Sequence, residues 1–200
     1  YEGQKQDLIR YMRETENQLQ ILLCELAAYL HNKDMEINVW DRIIAFEGRM
    51  HEFIKAAYDY QDNTFHSHPG YYIDYFEMRL AQLQVLHNLH YEIKKIRKMP
   101  KQALVIADYI MYMADYVVEM NIPDQQIEKL EEISEQMKQE ELPKTREEFE
   151  GRALLYHILM DLEEFLVYKK RFVNGLDEKK LRIYWKQEME QKDSANELQK

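Results

Sequence analysis

Apolar residues recur at alternating steps of three and four positions along most of the chain, which is the pattern of helices packed lengthwise against their neighbours. Between residues 1 and 31 this stripe consists of Leu8, Met12, Leu19, Leu22, Leu26 and Leu30. Thr15 interrupts it mildly. At about 1.5 Å per residue such a helix would span roughly 45 Å. We therefore predict an elongated domain.

Four further stripes with the same spacing predict helices two to five. Asn38 is suited to cap the second helix, and the loop at 63–70 (NTFHSHPG) precedes the third. Pro100 and Pro123 are predicted to open the fourth and fifth helices, because proline is tolerated in a first turn. The inward-facing residues are Val39, Ile43, Phe46, Met50, Phe53, Ala57 and Tyr60; Tyr72, Phe76, Arg79, Leu83, Leu86, His90 and Ile93; Ile106, Ile110, Met113, Val117 and Met120; and Ile127, Leu130 and Met137.

The stretch 142–172 (LPKTREEFEGRALLYHILMDLEEFLVYKKRF) carries the most complete set of helix signals in the chain. Pro143 ends the preceding helix, and Thr145 and Glu148 have the spacing of a capping box. Asn174 and Gly175 predict a left-handed helix stop. The stripe of this sixth helix consists of Phe149, Leu155, Leu159, Leu162, Leu166 and Phe172.

No segment alternates as a strand would, and the four prolines lie at proposed junctions. We predict an all-α fold, an elongated antiparallel bundle of about six or seven helices without a sheet, over residues 1–175. Asp177 is predicted to cap a seventh helix that includes Leu181, Tyr184 and Trp185. Residues 176–200 are thus a C-terminal helix followed by a polar tail, which we expect to fray from Lys186 onward.

Composition and charge exclude several classes of protein. The net charge of -10 argues against binding to nucleic acid or to an anionic membrane surface. No apolar run approaches the ~20 residues of a membrane span, and no signal peptide or Gly-rich phosphate loop is present. The single cysteine, Cys24, lies in an apolar run, which favours an inert buried thiol over a nucleophile.

The histidines offer weak metal-binding patterns. His87 and His90 are three apart, and Glu47 and His51 are four apart, so each pair is predicted to share one helix face. Di-iron bundles use Glu-x-x-His motifs, and the sequence contains none. A solvated loop is the favoured interpretation of His66 and His68. We expect no metal and no cofactor.

Charged residues on or beside apolar stripes are the strongest candidates for a site. Arg79, Arg152, Glu47 and Glu77 are such residues, and Glu148 is a further candidate partner for the arginines. We favour a buried ion-pair network over a site in which arginine binds a carboxylate ligand. The tyrosines at 71, 72, 75, 109, 112 and 116 suit either an aromatic pocket or the rim of a bundle core.

Two stretches resemble a known family. The first is the run from Tyr72 to Arg79 (YIDYFEMR) with Gln82, and the second is the stretch from Leu142 to Phe172. Both are similar to the C-terminal domain of the putative aromatic acid exporter family of Gram-positive bacteria, and the likeness spans most of residues 1–173 in helix order. In that family, membrane helices precede a cytoplasmic helical domain.

The resemblance implies a non-enzymatic domain at the cytoplasmic face of the cell membrane, with an assembly or regulatory role. Its expected partner is an N-terminal transmembrane segment of the same polypeptide, and self-association stays open. The alternative hypothesis is a ligand-sensing bundle that binds a small aromatic acid through arginine and tyrosine. An enzyme or metalloprotein is the least favoured class.

Overall fold

The computed structural model describes residues 2–32, 38–64, 70–185 and 197–198. Seven α-helices lie within these ranges, and none of the residues in them forms a strand, so the all-α prediction is confirmed. The helices are α1 (Glu2–His31), α2 (Val39–Asp62), α3 (Gly70–Lys94), α4 (Ala103–Ala114), α5 (Asp124–Lys138), α6 (Arg146–Asn174) and α7 (Glu178–Tyr184). The 30 residues of α1 correspond to roughly 45 Å.

The first two helices run antiparallel, as their ion pairs show. Arg42 near the start of α2 contacts Glu25 near the end of α1 at 2.6 Å. Arg49, further along α2, contacts Glu14 at 3.2 Å. The partners in α1 therefore move backward along the chain as α2 advances.

Helices α3 and α6 are antiparallel in the same way. Gln82 of α3 donates a hydrogen bond to the carbonyl of Phe165 in α6, whereas the ring of Tyr71 at the start of α3 packs on Phe172 near the end of α6. Since consecutive long helices reverse direction, the bundle has two distinct ends. The proximal end contains the start of α1, the end of α2, the start of α3, the end of α6 and α7. The distal end contains the end of α1, the start of α2, the end of α3, the start of α4, the end of α5 and the start of α6.

The predicted stripes form the core. Every predicted stripe residue of α1 and α3 is buried, and so are those of α2 apart from the half-buried Tyr60. Thr15 is also buried, and its hydroxyl is satisfied there because it donates a hydrogen bond to the carbonyl of Tyr11 one turn earlier. Met120 and Ile127 are partly buried and pack at the edge of the core.

Phe149 departs from the predicted core, since 63% of its surface is exposed. It precedes Leu155 by six positions, which is about 600° of rotation at 100° per residue. Its side chain therefore points about 120° away from the buried stripe. The buried residue in this first part of α6 is Gly151.

The cap of α6 follows the prediction with one change. The Thr145 hydroxyl accepts a hydrogen bond from the backbone N–H of Glu148 at 3.1 Å. The Glu148 carboxylate accepts from the backbone N–H of Lys144 at 2.7 Å, one residue before the predicted partner. The Asp177 cap of α7 is also confirmed, because its carboxylate accepts from the backbone N–H of Lys180 at 2.7 Å.

Three other boundary predictions are corrected. Gly175 has a φ of -79°, so α6 ends in a right-handed turn rather than a left-handed stop. The chain continues toward α7 through hydrogen bonds from Gly175 N–H to the Arg171 carbonyl and from Leu176 N–H to the Val173 carbonyl. Asn38 precedes α2 but makes no side-chain cap. Helix α4 ends at Ala114, and the irregular segment 115–123 follows it.

Two predictions fall on residues outside the described ranges. They concern the loop histidines His66 and His68 and the tail from Lys186 onward, of which only residues 197–198 are described. The boundary at residue 175 stays a prediction. Trp185, just after α7, has only 2% of its surface exposed.

Candidate functional site

Arg79 is the most enclosed charged side chain that the structure describes, with 1% of its surface exposed. It occupies a stripe position on α3, which packs against α1, α2 and α6. Its Nε donates to the Tyr75 hydroxyl at 3.0 Å, and its Nη1 donates to the Gln82 side-chain oxygen at 2.9 Å. Nη2 lies 3.7 Å from the Glu16 carboxylate and makes no hydrogen bond.

The partners of Arg79 tie three helices together. The Tyr75 hydroxyl donates to Glu16 of α1 at 3.0 Å, and Gln82 donates to the Phe165 carbonyl of α6 at 2.8 Å. We call Glu16, Tyr75, Arg79 and Gln82 the Arg79 network. Because most of its donors and acceptors satisfy one another, the arrangement favours the structural interpretation of Arg79 over ligand binding.

Lys169 is a second buried cation, with 3% of its surface exposed. Its Nζ donates to the backbone carbonyls of Val118, Glu119 and Asn121 at 2.8, 2.7 and 3.0 Å. All three carbonyls belong to the irregular segment between α4 and α5. Lys169 therefore satisfies backbone carbonyls in a stretch that lies outside the regular helices and holds this stretch in place.

Glu119 connects this segment to the proximal end of the bundle. Its carboxylate accepts a hydrogen bond from the Tyr71 hydroxyl at 2.6 Å, and the Tyr71 oxygen accepts from the Trp185 indole at 3.0 Å. Burial raises the pKa of Glu119 above its ordinary value, and burial also raises the pKa of Tyr71. Tyr71 therefore stays protonated and acts as the donor of this pair.

The glutamates predicted as partners of the arginines contact other groups in the structure, so this part of the prediction is corrected. Glu47 contacts the ring of His87 at 3.5 Å, and Glu77 accepts from the Tyr58 hydroxyl at 3.4 Å. Glu148 belongs to the cap of α6. Glu77 follows Tyr75 by two positions on α3, a rotation of about 200° that turns it to the exposed face.

Sequence reasoning missed Glu16 and Lys169, although both carry a usable signal. Glu16 lies four positions after Met12 and three before Leu19, and Lys169 lies three positions from both Leu166 and Phe172. Both are thus charged residues at stripe positions. A charge at such a position predicts a buried partner.

Arg152 has surroundings unlike those of Arg79. It is partly exposed in the second turn of α6, roughly 20 Å along that helix from Phe165. Its Nη1 donates to the backbone carbonyl of Glu141 at 2.9 Å, whereas its enclosed Nε makes no hydrogen bond. Arg152 lines a groove at the distal end with a volume of about 400 Å³. The structure does not bring the two arginines together.

The six tyrosines considered from the sequence separate into two groups. Tyr71, Tyr72 and Tyr75 lie on α3, where the Tyr71 ring stacks on that of Tyr184 with 3.9 Å between centroids. The second group consists of Tyr109, Tyr112 and Tyr116, whose exposure increases in that order. They do not line one shared aromatic pocket.

The histidines and the cysteine form no metal-binding group within the described residues. Cys24 is half-buried, and burial raises the pKa of its thiol, which disfavours the thiolate that a nucleophile needs. His90 is buried with its Nδ1 unpartnered, and burial lowers its pKa.

Asp161 on α6 is a partly buried carboxyl that sequence reasoning did not identify. It lies in a shallow pocket with His87, His157 and Glu92, and its Oδ2 has no hydrogen-bond partner. Burial raises the pKa of Asp161 to about 6, and the charges of Glu164 and Glu92 add to this effect.

Comparison with known proteins identifies the family. Residues 5–170 match the family described as "Putative aromatic acid exporter C-terminal domain". The chain belongs to this family. The match includes most of α1, all of α2 to α5 and most of α6, so it contains both arginines and leaves α7 outside.

One relative and one solved structure are similar to this exporter-family domain. The domain is 26% identical over 167 residues to "Uncharacterized protein YqjA" of Bacillus subtilis (strain 168). The matched region is 82% of this chain but only 51% of that protein. The chain therefore spans about half the length of this relative. A structure described as "putative membrane protein from Clostridium difficile 630" has a similar fold, with a TM-score of 0.72, 24% identity, and coverage of 82% of this chain and 98% of that one.

The described helices of the exporter-family domain do not meet the requirements of a membrane span. None of them combines sufficient length with sufficient apolar character to cross a bilayer.

Proposed function

We propose that this exporter-family domain is a non-enzymatic, cytoplasmic part of a membrane transporter-like protein, in which it acts in assembly or regulation. The observation that carries the proposal is the family match over residues 5–170. The relative from Bacillus subtilis is about twice as long as the matched region, which leaves room for membrane helices in a protein of that kind.

The packing of the domain supports a role as one mechanical unit. The Arg79 network links α1, α3 and α6, and Lys169 links α6 to the segment between α4 and α5. In the proposed arrangement a membrane segment leads directly into α1 at the proximal end. A displacement of α1 would therefore be transmitted to α3 and α6 instead of being absorbed locally.

The coding sequence upstream of Tyr1 tests the first part of the proposal. We expect roughly four apolar runs of ~20 residues, which is the length that a membrane helix requires. A start codon directly beside Tyr1 would remove the basis for a membrane partner in the same polypeptide.

A transport experiment tests the role itself. The full-length protein and a version that lacks this domain would be produced in the same cells, and two quantities would be measured: the amount of protein in the membrane and the export of labelled benzoate. A regulatory role predicts normal membrane levels with altered export, and an assembly role predicts reduced membrane levels. Unchanged values of both would contradict the proposal.

A further inference from the structure

Helix α3 lies between α2 and α6, and these three helices form one layer of the bundle. Phe76 of α3 packs against Phe53 of α2 with 5.6 Å between ring centroids. Gln82, six positions later and therefore turned by about 240°, bonds to Phe165 of α6. The open side of this layer is called the three-helix face. It consists of Trp40, Ile44, His51 and Lys55 of α2; Ala81, Gln84, Asn88 and Tyr91 of α3; and His157, Met160 and Glu164 of α6.

The α3 line of the three-helix face carries no charge. Its residues Ala81, Gln84, Asn88 and Tyr91 recur at steps of three and four positions and are half-buried or exposed. The stretch 81–91 (AQLQVLHNLHY) contains no Asp, Glu, Lys or Arg, although 32% of the chain is charged. A two-fold axis parallel to α3 would place each of the four residues against its own counterpart, where like charges would repel. The uncharged line is compatible with such an axis.

The two flanks of this line are aligned with each other. Trp40 of α2 packs edge-on against His87 with 4.5 Å between ring centroids. His87 and Tyr91 of α3 line one shallow pocket with His157 of α6. Trp40 and His157 therefore lie at the same level of the bundle, on opposite sides of Tyr91.

Ile44 and Met160 are the apolar side chains at the next turn of each flank. Ile44 follows Trp40 by four positions and Met160 follows His157 by three, and α2 and α6 run in the same direction. Ile44 has 49% of its surface exposed and Met160 has 63%. Rotation about an axis parallel to α3 keeps the level and exchanges the flanks. Ile44 of one copy would therefore face Met160 of the other.

The charges further toward the proximal end are complementary. His51 and Lys55 of α2 are exposed, and so is Glu164 of α6. The same rotation turns His51 and Lys55 of one copy toward Glu164 of the other, which favours this arrangement of the two copies.

Most carboxylates closer to α3 have partners in their own copy. Glu47 contacts the His87 ring at 3.5 Å, and Glu92 contacts Lys95 at 3.6 Å. Covering the face would therefore not leave these two charges unpaired. Asp161 Oδ2 has no hydrogen-bond partner, so the charge of Asp161 is an unfavourable contribution that the apolar contacts must exceed.

The three-helix face has the size of a weak interface. Three helices about 8–10 Å apart, over about four turns of α3, present on the order of 500 Å² per copy. A standard stable interface buries about 800 Å² per partner, so we expect a dissociation constant of roughly 10 to 100 µM. Attachment of both copies to one membrane would raise their effective concentration.

We propose that the three-helix face binds a second copy of this chain across a two-fold axis parallel to α3. The proximal ends of both copies then point in the same direction, as attachment to one membrane requires. The pairing deepens the proposed assembly role and rests on that role for its meaning in the cell.

Sedimentation of the 200-residue chain between about 5 and 500 µM tests the pairing. We expect monomer at the lowest concentration and a dimer that exceeds half of the protein at the highest. A chain that stays monomeric at about 500 µM would overturn the proposal, and so would open-ended association into larger species, because a two-fold interface closes at the dimer.

A matched pair of methionine variants locates the interface. Met160→Glu places a charge against Ile44 of the second copy and is expected to weaken pairing about tenfold or more. Met111→Glu makes the same change on α4, where Met111 has 46% of its surface exposed outside the three-helix face. We expect less than about a twofold effect there. Undiminished pairing in Met160→Glu, or an equal loss in Met111→Glu, would contradict the assignment.

Disulfide cross-linking tests the direction of the axis. In a Cys24→Ser background, which removes the single native cysteine, Ala81→Cys and Asn88→Cys place thiols two turns apart, about 10 Å along α3. A parallel axis brings each cysteine to its counterpart, whereas an antiparallel pair cannot bring both within the ~7 Å that a disulfide allows. We expect both variants to form linked dimers under mild oxidation and Met111→Cys to form none. Linkage at only one of the two positions, or equal linkage at Met111→Cys, would overturn the proposed axis.

Two controls keep these results interpretable. Thermal unfolding shows whether Met160→Glu is folded, and if it is not, the cysteine variants decide the question alone. Pairing is measured without a membrane, whereas the domain-deletion experiment measures membrane levels and export. A monomeric chain therefore leaves the proposed role of the domain intact, and failure of that role leaves the sedimentation result intact.

Discussion

Arg79 is enclosed in the bundle with a carboxylate 3.7 Å away, so its substitution is expected to destabilise the fold. In Arg79→Met the Tyr75 hydroxyl and the Gln82 amide oxygen lose a donor, and Glu16 loses its cation. Removal of one partner of a buried pair costs about 3 to 5 kcal/mol. We expect about 3 kcal/mol, because the Glu16 side chain keeps 14% exposure. Urea denaturation measures this loss.

Arg10→Met is the matched control for this prediction. Arg10 lies on α1 with 69% of its side chain exposed, and its only described ion pair is with Asp7. We expect a change within about 0.5 kcal/mol. A rise in melting temperature for Arg79→Met would instead indicate an uncompensated cationic pocket and favour ligand binding at Arg79.

Asp161 makes stability depend on pH in a predictable direction. Its pKa is raised from 3.8 to about 6 in the folded state. Between these values the unfolded chain loses the proton while the folded chain keeps it, so the free energy of unfolding falls as pH rises. Asp161→Asn removes this penalty. We expect the variant to be more stable than the parent by about 1 kcal/mol at pH 7.5, a figure reduced for partial solvent screening.

The advantage of Asp161→Asn should shrink as the pH falls and disappear below about pH 3, where both states of the parent are protonated at this position. Urea denaturation at several pH values measures the difference. Glu163→Gln on the same helix is the control, because Glu163 is exposed. A gain for Asp161→Asn that is the same at pH 4 and pH 7.5 would show that the effect is not electrostatic.

The sequence predicted most of the residues that face inward but not which residues meet. Arg79 was assigned to a stripe, and the structure buries it there. Its contact with Glu16 depends on how α1 lies against α3, and a periodic pattern within one helix contains no information about its neighbours. The groove at Arg152 was likewise beyond prediction, because two connections separated by about forty residues form it.

At the level of the helix, the start of α6 depends on Thr145. The Thr145 hydroxyl accepts the Glu148 N–H at 3.1 Å, and Thr145→Ala removes that acceptor. We expect a loss of about 1 kcal/mol, seen as a lower denaturation midpoint with an unchanged slope. Thr145→Ser keeps a hydroxyl in the same place and should retain most of the stability. Equal losses for the two variants would show that the hydroxyl is not the cause.

Two helix starts were predictable from a local signal. The caps at Thr145 and Asp177 depend on residues three positions apart, and both were predicted. The end of α4 was not, because the segment that follows it is held by Lys169 from a distant part of the chain. Gly175 fits a left-handed stop by its residue type alone, but the direction of the chain toward α7 decides its conformation.

For the molecule as a whole, the contribution of α7 is open to measurement. A chain that ends at Gly175 lacks Trp185, which covers Tyr71 at the proximal end. Burial of a tryptophan contributes several kcal/mol, and part of this is offset by the ordering of α7. We expect a net loss of about 2 kcal/mol, or roughly 4–8 °C in melting temperature for a domain of this size.

A chain that ends at Trp185 is the control for this truncation. It keeps the contact with Tyr71 and should melt within about 1 °C of the full chain, since only the tail is removed. If the chain that ends at Gly175 melts at the same temperature as the full chain, α7 adds nothing to stability. That result would support residue 175 as the end of the domain, as predicted from the sequence.

The placement of the two tryptophans also makes the domain its own optical probe. Trp40 has 41% of its surface exposed, and Trp185 is enclosed between Tyr71 and Lys169. In a Trp40→Phe background the emission spectrum therefore comes from Trp185 alone. Release of α7 would expose Trp185 to water, so its emission would shift to longer wavelength and iodide would quench it. Intrinsic fluorescence therefore reports whether α7 is docked, without any attached dye.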